Sequence, residues 1–451
     1  MNRTESLRQK DRETIWHPFT QMADWERDAP LVIERGEGNY LLDTDGRRYF
    51  DGVSSLWVNL FCHRRSEIDA AVRSQLDRLA HSTFLGLSHV PAVELSEKLL
   101  AAAPQGFSRV FYSDNGSTAM EIAIKMALQY WRQKGGGDKK QAFMTLTEAY
   151  HGDTIGAVSA GGIDLFHRIF QPLLFATRRI PTPHCYRCPY GLDRRSCALA
   201  CAARMEEEVG RYRDELAAVI VEPLVQGAAG MLVMPGGYLA RLRKATSECG
   251  VLLICDEVAT GFGRTGTMFA CGQEGVAPDI MAVAKGLTGG YLPLAATLTT
   301  AEVYDAFRGR YEEFKAFFHG HSYTANPLGC AAALATLSIF ETQDVLTHVA
   351  SLSAIMAEEL AKLAGRPCVG DIRQKGLMVG IEIVADRKTK EPFPPEKKVG
   401  QRVVRRVREK GIILRPLSDV IVLMPPLSST EEEIRHLVGS VGWAIDSVLS
   451  E

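Results

Sequence analysis

Between about Arg109 and Leu298 the chain alternates short apolar runs with longer segments of mixed polar and apolar residues. The runs at 109–112, 142–146, 217–221, 251–255, 280–284 and 294–298 are too short for helices and apolar enough for buried strands. The segments 117–134, 201–212 and 237–248 carry helical periodicity. Alternation of this kind predicts an α/β fold: a mostly parallel sheet with helices on both faces. Ligands of such sheets gather outside the carboxyl ends of the strands.

The pattern changes on either side. After about Asn326, long apolar-periodic stretches predict helices over 328–340 and 345–363. A strand at 377–383, a helix at 398–410 and strands at 412–415 and 420–424 follow, which together read as a smaller α+β domain. Residues 1–104 mix short strands with turns such as Asp43-Thr44-Asp45-Gly46 and are expected to pack with that smaller domain. The expected division is therefore 1–104, a large ligand-binding domain at 105–325, and a small domain at 326–451.

Composition narrows the function classes. The 451 residues are 46% hydrophobic and 24% charged, with a formal net charge of -2. That balance provides no long-range field for nucleic acid or an anionic membrane, so small-molecule partners are expected. Residues 1–14 lack the apolar core of a secretory signal, and no stretch approaches the length of a membrane span. The cytoplasm is the expected compartment, where the ten cysteines would be reduced thiols or ligands.

Chemistry-bearing residues stand at the predicted strand ends. The run 251–255 closes in Asp256-Glu257, and the run 280–284 closes in Lys285-Gly286. An amine and a carboxylate at one sheet edge suit pyridoxal 5'-phosphate. The lysine bonds the aldehyde, and the carboxylate keeps the ring nitrogen protonated. Two strand-capping surface charges are the plain alternative. Val258, two residues on from Asp256, would pack on the ring face. Gly116 and Ser117 open a predicted helix, where free N–H groups and the helix dipole favour a phosphate. Tyr150 ends another strand and could stack on a planar ring. Glu222 could bond a phenolic oxygen or hold an arginine. Gly320-His321-Ser322 could complete a phosphate site across a subunit boundary. His319 and His321 without a third ligand are weak grounds for a metal. Arg415 could clamp a carboxylate. Cys185, Cys188, Cys197 and Cys201 have the density of a structural zinc or iron–sulfur site, or of a loop with free thiols.

The stretch from Leu253-Ile254-Cys255-Asp256-Glu257-Val258 through Gly263-Arg264-Thr265-Gly266 to Ala284-Lys285-Gly286 resembles the signature of the class III pyridoxal-phosphate aminotransferases. Ile15-Trp16-His17-Pro18-Phe19-Thr20, Asp51-Gly52-Val53-Ser54-Ser55-Leu56-Trp57, Tyr150-His151-Gly152-Asp153-Thr154 and Leu423-Met424-Pro425-Pro426 narrow the likeness to members acting in biotin synthesis. The resemblance implies the fold type I, aspartate-aminotransferase-like architecture. It also implies a homodimer with active sites at the subunit interface. Lys285, Asp256 and Tyr150 are then catalytic. Gly116, Ser117, Tyr150, Asp256, Val258 and Lys285 bind the cofactor, with His321 and Ser322 reaching in from the other subunit. Phe19, Trp57, Tyr150, Lys285, Gly320 and Arg415 line the substrate site, with Arg415 on the keto-acid carboxylate. The implied reaction is transamination of 8-amino-7-oxononanoate to 7,8-diaminononanoate. Leu56-Trp57 and Phe19 leave the donor open between S-adenosylmethionine and lysine, and another ω-amino acid or diamine transaminase is the nearest rival.

Overall fold

The structure is a computed structural model that describes residues 2–135 and 139–450. Its centre is a seven-stranded sheet, in the order Phe107–Ser113, Ala295–Thr300, Ile280–Val283, Leu252–Asp256, Leu216–Val221, Ala142–Leu146, Arg178–Ile180. Ala295–Thr300 runs antiparallel to both neighbours. The other adjacent pairs are parallel.

The near-continuous apolar runs follow from burial on both faces. Ala218, Ile220, Leu252, Ile254, Ile280 and Ala282 join one cluster with Met120, Ile124 and Ala127 of the helix Gly116–Gln133. Their sequence neighbours Val219, Val221, Leu253, Met281 and Val283 pack in a second cluster with Leu239 and Leu242 of the helix Tyr238–Glu248. This is the period-2 alternation of a strand with a helix on each side. Each such buried side chain stabilises by about 1.5–3 kcal/mol, and Ile254→Ala would cost about 2–5 kcal/mol.

Two four-stranded sheets flank this centre. One holds Ile33–Glu37, Tyr40–Asp43, Arg48–Asp51 and, parallel to the last, Ile412–Ile413. The other is Val369–Lys375, Met378–Ile383, Val420–Leu423 and Arg415–Leu417. The expected single strand at 412–415 is therefore divided between two sheets. Pro416 cannot donate to a ladder, so Arg415–Leu417 takes an edge position, and Ser418 (φ +50°) turns it back onto Val420–Leu423.

The first 104 residues also hold helices at Arg3–Thr14, Ser66–Leu76 and Val90–Ala102 that were not expected. Their buried stripes are narrow: Ile68 in the second, Leu95 and Leu99 in the third. The last two pack on the long helix Pro327–Thr342. No helix among the described residues is long and apolar enough to cross a membrane.

Candidate active site

Leu252–Asp256 and Ile280–Val283 run side by side with Asp256 opposite Ala282. Both strands therefore end at one sheet edge, and Lys285 follows on the next turn with φ +44°. A cavity of about 710 Å³ opens there, lined by Trp57, Gly116, Ser117, Tyr150, Asp256, Val258 and Lys285 among others.

Asp256 is held from two sides. Its Oδ2 lies 2.7 Å from His151 Nδ1, and its Oδ1 accepts from the Val258 backbone N–H at 3.0 Å. Burial alone would drive the imidazole neutral. The hydrogen bond and charge of Asp256, with Glu222 adding, outweigh it and leave the His151 pKa raised. The two contacts fix the orientation of the Asp256 carboxylate at the cavity edge. The buried His151 Nε2 has no hydrogen-bond partner.

Lys285 has the opposite perturbation. Desolvation foremost lowers its pKa, against the pull of Asp256 and Glu222, while Arg264 pushes the same way as burial. The favoured neutral amine is the nucleophilic form. Lys285 Nζ lies 5.1 Å from the centre of the Trp57 ring.

Trp57 reaches this position through an unusual backbone. Ser54, Ser55, Leu56 and Trp57 have φ of +50°, +47°, +70° and +72°. A left-handed turn of non-glycine residues costs about 1–2 kcal/mol per residue. Surrounding bonds hold it in place. Ser54 Oγ donates to the Met424 carbonyl at 2.7 Å, while Asp51 accepts from Ser55 N at 2.8 Å and Ser55 Oγ at 2.6 Å. Strain so over-determined is characteristic of functional sites.

At the far end of the cavity the helix Gly116–Gln133 begins. Asn115 caps it by accepting from Thr118 N at 3.0 Å. The N–H groups of the first turn have no intrahelical partner and can face an anion. The loop 150–153 sits on this helix start, with Asp153 N donating to Ser117 Oγ at 2.8 Å. Gly152 makes that approach possible: it has φ +119°, and a Cβ there would stand 1.8 Å from Ser117 Oγ. A Cβ on Gly116 would meet Val258 Cγ1 at 2.6 Å.

Glu222, fully enclosed, accepts from Tyr150 N at 3.1 Å and Gly227 N at 2.9 Å. It holds two loops, and no arginine is among these partners. Burial raises its pKa to about 7. Tyr150 donates its hydroxyl to Asp153 at 2.7 Å.

These groups fit pyridoxal phosphate: an amine for the aldehyde, a held carboxylate for the ring nitrogen, an open helix start for the phosphate. Phe19, Gly320, His321, Ser322 and Arg415 do not line the cavity. Arg415 Cζ lies 6.0 Å from the Phe19 ring, which meets Phe166 edge-on at 5.4 Å, and Phe166 meets Tyr150 at 6.4 Å. This aromatic chain leads from Arg415 to the cavity. His321 caps its own turn, its Nδ1 accepting from Tyr323 N at 3.2 Å, and its Nε2 is buried without a partner. His319 bonds Lys125 at 3.0 Å, and neither histidine belongs to a three-ligand group among the described residues. Sequence reasoning passed over His151. Its signal was position: it directly follows a strand-end tyrosine, on the same edge as Asp256.

Comparison with known proteins agrees with this chemistry. Residues 21–445 match the family described as aminotransferase class-III. An adenosylmethionine-8-amino-7-oxononanoate aminotransferase of Nitratidesulfovibrio vulgaris is 55% identical over 99% of this chain and 83% of its own. The enzyme of that name from Geobacter sulfurreducens is 52% identical over 99% and 98%. The crystal structure of its Methanocaldococcus jannaschii counterpart superposes with a TM-score of 0.94 at 46% identity, covering 98% of this chain and 99% of that one. An amine transaminase from an uncultivated Pseudomonas species, in its PLP-bound form, gives 0.90 at 38% identity over 97% and 98%.

Proposed function

The chain belongs to the class III aminotransferases, and from that premise we infer that it converts 8-amino-7-oxononanoate to 7,8-diaminononanoate for biotin synthesis, with S-adenosylmethionine as amino donor. The observation that carries this reading is the meeting of Lys285, Asp256 and the helix start at Gly116 on one cavity, in a chain so similar to enzymes named for that reaction.

Bound there, pyridoxal phosphate supplies an aldehyde carbon and an aromatic ring that accepts an electron pair from the substrate carbon. Lys285 would hold the aldehyde, and its amine, whose pKa burial lowers, would move a proton from the donor carbon. Asp256, held in orientation by His151, would pair with the protonated ring nitrogen and so favour negative charge in the ring. Val258, which lines the cavity, would pack on one ring face. Gly116 and Ser117 take the phosphate. We assign His321 and Ser322 to the phosphate of a partner subunit, which accounts for their distance from their own cavity. Tyr150 and Trp57 border the reacting carbon, and Phe19 and Trp57 offer apolar surface to a long aliphatic chain. Arg415, with no carboxylate partner among the described residues, receives the substrate carboxylate.

The test is a pair of half-reactions. S-adenosylmethionine added to the yellow protein should bleach the aldehyde band, and 8-amino-7-oxononanoate should then restore it with release of the diamine. Bleaching by lysine alone would replace the donor. No response to either compound would remove the function.

A further inference from the structure

Residues 181–199 connect the strand Arg178–Ile180 to the helix Ala200–Tyr212 without a helix or strand of their own. Irregular segments of this length within a compact domain need something to order them. The segment reaches the small-domain sheet. Arg187 Nε donates to Glu382 Oε1 at 2.9 Å, Lys390 Nζ to the Tyr186 carbonyl at 2.5 Å, and a Cβ on Gly370 would come within 2.5 Å of the Tyr186 hydroxyl.

Four of the chain's cysteines fall in and just after this segment. Cys255, Cys271 and Cys330 are buried as apolar residues, but Cys185, Cys188, Cys197 and Cys201 are half-buried and unbridged. All four line one cavity of about 310 Å³, which shares no residue with the Lys285 cavity. Turns aim them there. Gly191 N donates to the Cys188 carbonyl at 3.0 Å, Cys197 N to Asp193 at 2.9 Å and Ala200 N to Cys197 at 2.9 Å. Ala198 and Leu199, between the last two cysteines, both have left-handed backbones, with φ of +45° and +56°. Such conformations in non-glycine residues persist where the surroundings impose them.

We propose that Cys185, Cys188, Cys197 and Cys201 form an all-thiolate site for one zinc ion, which staples this segment against the small-domain sheet. Each thiol gives its proton to solvent as four Zn–S bonds form. A dication with four thiolates carries excess negative charge. Arg194 lines the same cavity and has no carboxylate partner among the described residues, so it offsets that charge. The sulfurs must draw together on binding. Among the described residues, the ligand-type trio already within 4.8 Å is His184, Asp371 and Glu382. That trio is spoken for: Arg373 pairs with both carboxylates and Arg187 with Glu382. The thiols have no such cations paired to them. Zinc fits better than an iron–sulfur cluster because transamination needs no electron carrier.

The experiment measures metal and cofactor together. The pyridoxal-phosphate-loaded protein is produced with both zinc and iron in the medium and purified without chelator. One zinc per chain is expected, released by a mercurial thiol reagent. Cobalt substitution should give the sulfur-to-metal charge-transfer and visible bands of a tetrahedral thiolate site. Cys185→Ser/Cys197→Ser should lose the metal, keep pyridoxal phosphate, and be cut faster by protease within 181–199. Zinc-free protein with four reactive thiols overturns the proposal. So do two disulfides, or iron with visible absorption that survives removal of pyridoxal phosphate. Should the double variant not fold, the zinc content of the unaltered protein and its mercurial release decide the matter.

Discussion

His151 and Asp256 are joined by a 2.7 Å contact between Nδ1 and Oδ2, and both side chains are buried. The imidazole borders the same cavity as Asp256. It fixes the orientation of the Asp256 carboxylate, to which we assign the cofactor's ring nitrogen. His151→Ala should lower kcat by about 10–100-fold, the usual loss when an orienting partner is removed, with a smaller change in KM. His151→Asn, whose amide can still donate, should recover part of the loss. The check is a steady-state comparison, together with the pH titration of the cofactor band. An unchanged titration in His151→Ala would leave the pair a structural contact only.

Lys285→Ala should abolish turnover while leaving room for pyridoxal phosphate. Because desolvation lowers the Lys285 pKa, its amine is neutral at a pH where surface lysines are charged. Attachment of pyridoxal phosphate to the cofactor-free protein should accelerate with pH and level off below the ordinary lysine value of 10.5. Borohydride trapping followed by peptide mass spectrometry measures this. A rate still climbing at 10.5 would mean an unperturbed amine.

Gly152→Ala puts a methyl group on Ser117 Oγ at a left-handed position. The loop must move off the helix start, at a cost of about 1–3 kcal/mol. Pyridoxal phosphate affinity should fall with stability, and fluorescence titration of cofactor into the apoprotein reads it directly. Gly106, with φ +109° and open space around it, is the control: alanine there carries the backbone strain without the collision.

Glu222 makes the cofactor-free protein pH-sensitive. Its pKa rises from 4.5 unfolded to about 7 folded. Its contribution is therefore fully present below 4.5 and is lost as pH rises through 7. The span is on the order of 3 kcal/mol. Glu222→Gln should remove this slope. It should also lower stability at every pH, since one of the Tyr150 and Gly227 N–H groups then faces an amide NH₂. Denaturant unfolding between pH 4.5 and 8 distinguishes the slope from the offset.

Much of the fold was legible because the central strands are apolar on both faces. Residues 142–146 and 280–284 announce buried strands regardless of context, and the observed Ala142–Leu146 and Ile280–Val283 follow. The meeting of Asp256 and Lys285 was legible for the same reason, since parallel strands bring their ends to one edge. The left-handed turn at Ser54–Trp57 was not. No glycine marks it, and the bonds that impose it come from Asp51 and from Met424, far along the chain. The helices Ser66–Leu76 and Val90–Ala102 were missed because few of their residues are buried. The place of Arg415 and Phe19 outside the cavity was equally invisible. Local patterning says which edge a residue ends on, and nothing about how far a neighbouring sheet holds it from that edge.

The parallel pairing of Phe50 with Ile412 bears on how the molecule is made. During synthesis the strand Arg48–Asp51 leaves the ribosome hundreds of residues before its neighbour exists, so that sheet stays open until residues 412–413 have been made. The left-handed turn that carries Trp57 hangs from the same late contact, through Met424. The cavity beside Lys285 thus acquires its tryptophan wall only after Met424 is made, and nascent chains halted before residue 412 should emerge with the central sheet assembled and that cavity unfinished.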